Sequence, residues 1–208
     1  MSDKTNLMLS DVELQFVKDT TWVLTKQRII GSVYHLFNEQ VGEITYQFKN
    51  TSLARFPAIC AAAPKITRGE HYRSLPYVIL DYPAAFDKEN IFALRTMFWW
   101  GNFVSVTMHI SGIYKDKLQQ IVLKNLQKDS SEFFICINED QWEHHFEADN
   151  YNNANELIAK DNCIMWPQAP FIKLALKIDL KEWNEMSALL KTAYHKMAGL
   201  LIHQLPTR

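Results

Sequence analysis

Only three cysteines occur in 208 residues, Cys60, Cys136 and Cys163, far apart and without a Cys-x-x-Cys pair. That argues against a disulfide framework or a zinc knuckle and fits reduced, mostly buried thiols in a reducing compartment. Glycine is scarce too, with six residues. None of them builds the Gly-x-x-x-x-Gly-Lys of a phosphate loop or the Gly-x-Ser-x-Gly of a nucleophile elbow. The chain lacks an excess of either charge, its formal net charge being −1. General electrostatic binding to nucleic acid is therefore not expected. Long hydrophobic runs are missing as well. Ile59-Cys60-Ala61-Ala62-Ala63 is among the longest, far short of the ~20 apolar residues a membrane helix needs. No apolar segment follows the Met1-Ser2-Asp3-Lys4 start, so no secretory signal is expected, and the expected location is cytoplasmic and off the membrane.

Aromatic residues, by contrast, are plentiful: twelve Phe, eight Tyr and six Trp. They supply large buried area and leave rings to spare for a pocket or an interface. Residues 1–9 read as a flexible tail. Ser10-Asp11-Val12-Glu13 is a capping box that opens a short helix. A longer helix begins between Asp19 and Thr25 and ends near residues 49–52, its stripe set by Ile29, Val33, Leu36, Phe37, Val41, Ile44 and Phe48. From Leu53 to Pro76 the period disappears among Pro57, Pro64, Gly69 and Pro76, which predicts a mostly irregular crossing loop. Strands are predicted at Tyr77–Tyr82, stopped by Pro83, and then at Leu94–Trp100 and Phe103–Ser111. The last two form a hairpin with a two-residue Gly101-Asn102 turn. A helix over Ile113–Gln127, a short strand over Phe133–Ile137 and a short helix after Asn153 follow. Alternation of Ile172, Leu174, Leu176 and Ile178 against Lys173 and Lys177 marks a strand with a core face and a wetter face. Asp179 then caps a long C-terminal helix carrying Trp183, Met186, Leu190, Ala193, Met197 and Leu201, with Pro206 beyond its end. The expected fold class is α+β. It is a single domain over 1–208, with a helical N-terminal third and a mainly antiparallel sheet of about five strands with helices packed on one face.

A two-residue hairpin turn pairs Trp100 with Phe103, Phe98 with Ser105, Thr96 with Thr107 and Leu94 with His109. These eight residues then share one face, and Trp99, Met97, Arg95, Val104, Val106 and Met108 share the other. The first set mixes aromatics with Ser, Thr and His, as a ligand floor, a solvated face or a subunit interface would. Three large rings left in water would each forgo on the order of 2 kcal/mol of burial, so the face is expected to be covered. The expected cover is the 53–76 loop, the stretch between Asp140 and Trp166, or a second subunit.

His109, with Asp81 to orient it, is a candidate general base, and His71 is a second candidate. Arg95 and the loop residue Arg73 are candidates for holding an anion. Trp100, Phe103, Phe98 and Thr107 complete the candidate binding set. The adjacent His144 and His145 point apart on either regular backbone and so are poor partners for one ion. No metal and no cofactor are expected. The reading favoured is a non-enzymatic binding or interaction module that uses the aromatic sheet face for a small-molecule ligand or for homodimerisation. The alternative is a small metal-independent enzyme doing His/Asp acid–base chemistry on an anionic small molecule.

Overall fold

The computed structural model describes residues 8–159 and 168–202. The expected tail at 1–9 falls almost wholly outside them, as do Cys163, Trp166 and Pro206. Seven antiparallel strands form one sheet: β1 (Lys65–Tyr72), β2 (Leu75–Phe86), β3 (Ile91–Trp99), β4 (Phe103–Ser111), β5 (Phe134–Cys136), β6 (Tyr151–Asn153) and β7 (Phe171–Asp179). Their spatial order is β1-β2-β3-β4-β7-β5-β6. The first four are a meander. The chain then leaves through a helix, and β7 returns beside β4, so that the β4–β7 pair closes contacts between distant parts of the chain.

Six helices accompany the sheet among the described residues: α1 (Asp11–Lys18), α2 (Thr20–Phe48), α3 (Pro57–Cys60), α4 (Gly112–Leu126), α5 (Ala154–Ala159) and α6 (Met186–Gly199). Helix α1 starts with the expected reciprocal capping box between Ser10 and Glu13. Asp19 caps α2 through the amides of Thr21 and Trp22. Beyond β7, Asp179 accepts from Lys181 N as expected. It caps a 3-10 turn over Leu180–Glu185, however, and α6 starts only at Met186. Side chains of α2, α4 and α6 meet one face of the sheet in the main core, around Phe37, Ile44, Leu94, Phe98, Val106 and Leu190. A polar tie crosses this layer where Tyr194 and Thr96 hydroxyls meet at 2.9 Å, both buried.

Four expectations need correction. The sheet has seven strands, not about five. The segment from Leu53 to Pro76 is not irregular: a 3-10 turn, α3 and the eight-residue strand β1 occupy it. β1 is an edge strand whose core is supplied by β2, so its own sequence needs no strong alternation. Pro83 does not stop β2, which runs on to Phe86 through a register shift between Asp81 and Ala84. There Pro83 sits at a bulge, a position where a strand tolerates it.

The fourth correction concerns the hairpin. Trp99, not Trp100, pairs with Phe103, leaving Trp100, Gly101 and Asn102 as a three-residue loop. Asn102 N donates to Trp99 O at 3.1 Å, and Gly101 takes φ +70° at the third position of that turn, where glycine is favoured. Because side chains alternate with period two, this shift by one residue exchanges every β3 side chain between faces relative to β4. Phe98, Trp100, Thr96 and Leu94 go to the helices. Trp99, Met97 and Arg95 join Phe103, Ser105, Thr107 and His109 on the opposite face. The exchange places Leu94, Phe98, Val104, Val106 and Met108 in a single apolar layer, which the expected register would have divided.

Candidate functional site

The face turned away from the helices is covered by the chain itself. Residues 137–150, the loop between β5 and β6, lie across it as a strap. Its Phe146 packs edge-on against Phe103 and Phe134 and stacks on Tyr151 at 4.7 Å. Beneath the strap Ile79, Met97, Trp99 and Phe103 form a second, smaller apolar cluster. The expected cover for Phe103, Ser105, Thr107 and His109 is thus present and comes from the region after Asp140.

Latching contacts hold the strap. Tyr72, at the end of β1, donates its hydroxyl to Glu143 Oε2 at 2.8 Å. The Tyr72 phenolic oxygen in turn accepts from the backbone N–H of His144 and His145 at 2.7 and 3.0 Å. Burial, the largest influence, pushes this phenol up to about 12, so it keeps its proton throughout the physiological range. Arg73, in the left-handed region with φ 48°, reaches Glu147 at 2.8 Å. From below, the Lys173 ammonium donates to the carbonyl of Gln141 at 2.9 Å and to that of Glu143.

Lys173 was expected on the wetter face of its strand, yet only 2% of it is exposed. The local alternation is as read; the strap lies over that face and converts it to interior. Burial pulls the ammonium down to about 8, because the charged form loses hydration. Nearby Arg95 sends Nε and Nη2 to the two Asp81 oxygens at 2.7 and 2.9 Å, a fork-to-fork pair across β2 and β3. Its Nη1 lies 3.1 Å from His144 Nε2. A guanidinium only donates, so this histidine is neutral and carries its proton on Nδ1. Burial first, then the positive charges of Lys173 and Arg95, hold His144 well below the usual imidazole range. The same influences hold His109 down to about 3. His109 stands between the rings of Trp142 and Phe171, and its Nε2 is buried with no hydrogen-bond partner. A small cavity of about 10 Å³, room for roughly one water molecule, lies among Arg95, Thr107, His109, Gln141, His144 and Lys173.

Of the expected site residues, Arg95, Asp81, Thr107 and His109 come together here, Phe103 lies under the same strap, and Arg73 latches it. Asp81 is not free to orient His109, since Arg95 occupies both its oxygens. His71 lies exposed on β1. Phe98 and Trp100 sit on the helix face, with Trp22 and Trp183 as ring neighbours. Lys173, His144 and Tyr72 were not among the expected site residues. Lys173 carried no signal beyond membership of a strand, His144 stood out only as one of two adjacent histidines and Tyr72 only as a neighbour of Arg73, and their partners lie 30 to 73 residues away. His144 and His145 do part company as expected. His145 turns toward Glu143, Glu147 and Asp149, and its ring nitrogen lies with the latter two carboxylates inside 4.8 Å. Of the thiols expected to be buried, Cys60 is exposed and Cys136 half-buried.

No known protein family, curated protein or solved structure matches the chain. Among the described residues no helix is long and apolar enough to cross a membrane.

Proposed function

We propose that the protein is a binding module for a small anionic ligand of the carboxylate class, held between the sheet and the strap. The observation that carries this reading is the charge balance of the buried cluster. Two cations, Arg95 and Lys173, share the space with one buried carboxylate, Asp81, while Asp140 and Glu143 act on Lys173 from the more exposed strap. The cavity beside them is lined by His109, whose Nε2 has no partner. An isolated buried charge is costly, and a mobile anion supplies what the fold's own side chains do not. The ammonium of Lys173 and the hydroxyl of Thr107 are suited to donate to such a group. A ligand larger than one water requires residues 140–144 to move outward, which breaks the two Lys173–carbonyl bonds. The enzymatic alternative would have to use His109 without Asp81, and burial lowers the proton affinity of that ring so far that it is a weak base, so binding without chemistry is the better supported reading.

Thermal unfolding in acetate, formate, phosphate and chloride at matched ionic strength tests it. Acetate or formate is expected to raise the Tm, and a concentration of 100 times Kd contributes about 2.7 kcal/mol. Lys173→Met is expected to remove the effect. A Tm indifferent to the identity of the anion overturns the proposal.

A further inference from the structure

Outside the sheet and its strap, the largest unexplained feature is the helical arm at the start of the described chain. Helix α1 buries no residue, and α2 buries none before Ile30. The arm is nevertheless apolar. Phe16, Val17 and Leu24 are 60, 69 and 62% exposed, and Val12, Leu14 and Val23 are exposed beside them. At 100° per residue Val12, Leu14, Phe16 and Val17 are distributed around α1 rather than along one stripe. Asp11, Gln15 and Lys18 gather on one side of α1 and the apolar residues occupy the remainder. Such an apolar surface is normally buried, and no described residue of the chain covers it. Trp22, edge-on to Trp100 at 6.1 Å, ties the arm to the body of the protein.

We infer that the arm is the interface of a homodimer, in which a second copy of the chain docks its α1 antiparallel to the first about a two-fold axis. Three considerations identify the occupant. Exposed apolar side chains from Met8 to Leu24 together present on the order of 1,000 Å², spread over more than one side of the arm. The side that carries Leu14 and Val17 supplies part of the ~800 Å² per partner of a standard interface. The charges are self-complementary. Asp11 and Lys18 are seven residues, two helical turns, apart on one side of α1, with Leu14 between them. Antiparallel pairing sets Lys18 of each copy opposite Asp11 of the other, and a two-fold axis makes the contact twice. A lipid surface fits poorly, since α1 carries Asp11 and Glu13 against Lys18 alone, whereas interfacial helices concentrate Lys and Arg on a polar face.

Analytical ultracentrifugation of the full chain over a micromolar concentration series tests the inference. A dimer is expected. Leu14→Asp with Val17→Asp should yield a monomer with unchanged far-UV circular dichroism, as neither side chain is buried. Lys18→Glu and Asp11→Lys should each weaken dimerisation about tenfold, and the two together should recover most of the loss, a pattern that simple unfolding of the arm does not produce. A monomeric wild type, a dimer indifferent to the Leu14/Val17 pair, or association with phosphatidylserine vesicles without self-association would each overturn it.

Discussion

His109 illustrates how burial reverses the meaning of a residue type. A histidine in a sequence suggests a group that titrates near neutrality; under the strap, burial beside Lys173 and Arg95 takes it down to about 3. Its unfolded value lies near 6.5. Between these limits the unfolded chain binds a proton that the native state refuses, so stability falls as pH drops through this window, by up to about 1.4 kcal/mol per unit. His144 acts in the same direction. Urea unfolding at pH 7 and 4.5 should therefore show a smaller acid loss for His109→Gln than for the wild type, and equal losses would mean that the imidazole is hydrated. Lys173 sets a second window at the alkaline end. Its amine, about 8 when folded, loses its proton before the unfolded amine does near 10.4, so its contribution to stability rises with pH across that interval. Lys173→Met should flatten that rise. It also leaves the carbonyls of Gln141 and Glu143 without their donor, so hydrogen exchange in residues 140–147 should quicken.

Among the elements, the β3–β4 hairpin and the strap determine which side chains meet. Phe98 is enclosed by the helices, and Phe98→Ala is expected to cost about 3–5 kcal/mol in chemical denaturation, the usual range for deleting a core ring. Trp100, only partly buried on the same layer, should tolerate truncation better. The strap depends on Tyr72 in another way, as its one hydroxyl serves Glu143 and two backbone amides. Tyr72→Phe leaves those amides without an acceptor, at a cost of about 1–3 kcal/mol. The loss should be local: faster exchange at His144 and His145, with protection in β3 and β4 unchanged. Uniform loss across the sheet would mean that the strap and the sheet unfold as one unit.

For the whole molecule, the helices cover one face of the sheet and the strap the other, so both faces become interior although only three long helices are available. The arm at α1 stands outside this scheme. If two arms pair, folding and association are linked, and the Tm should rise with protein concentration for the wild type but not for the Leu14→Asp, Val17→Asp variant. A concentration-independent Tm in both would set the arm apart from the stability of the fold.

Much of the architecture was legible in the residues alone. Local signals acting within a few positions located α1, α2, α4 and β7 closely: the Ser10 capping box, the stripe from Val33 to Phe48, the helical period over Ile113–Gln127 and the alternation from Ile172 to Ile178. The edge strand β1 and the extension of β2 past Pro83 were not legible, since neighbouring strands rather than their own patterns hold them in place. The site was half legible. Arg95, Asp81, Thr107 and His109 attract notice as polar residues within apolar strands, but their partnerships depend on register. A turn of three residues instead of two moved Phe98 and Trp100 away from them and brought Arg95 in. Lys173 appears solvent-facing from its strand and becomes buried only because a loop 23 to 36 residues upstream crosses over it. Short-range patterns in the sequence determined which segments are helix or strand and which faces are apolar. The tertiary structure alone decided which polar groups lose their water together, because desolvation depends on what lies above a side chain in space and not on its neighbours in the chain.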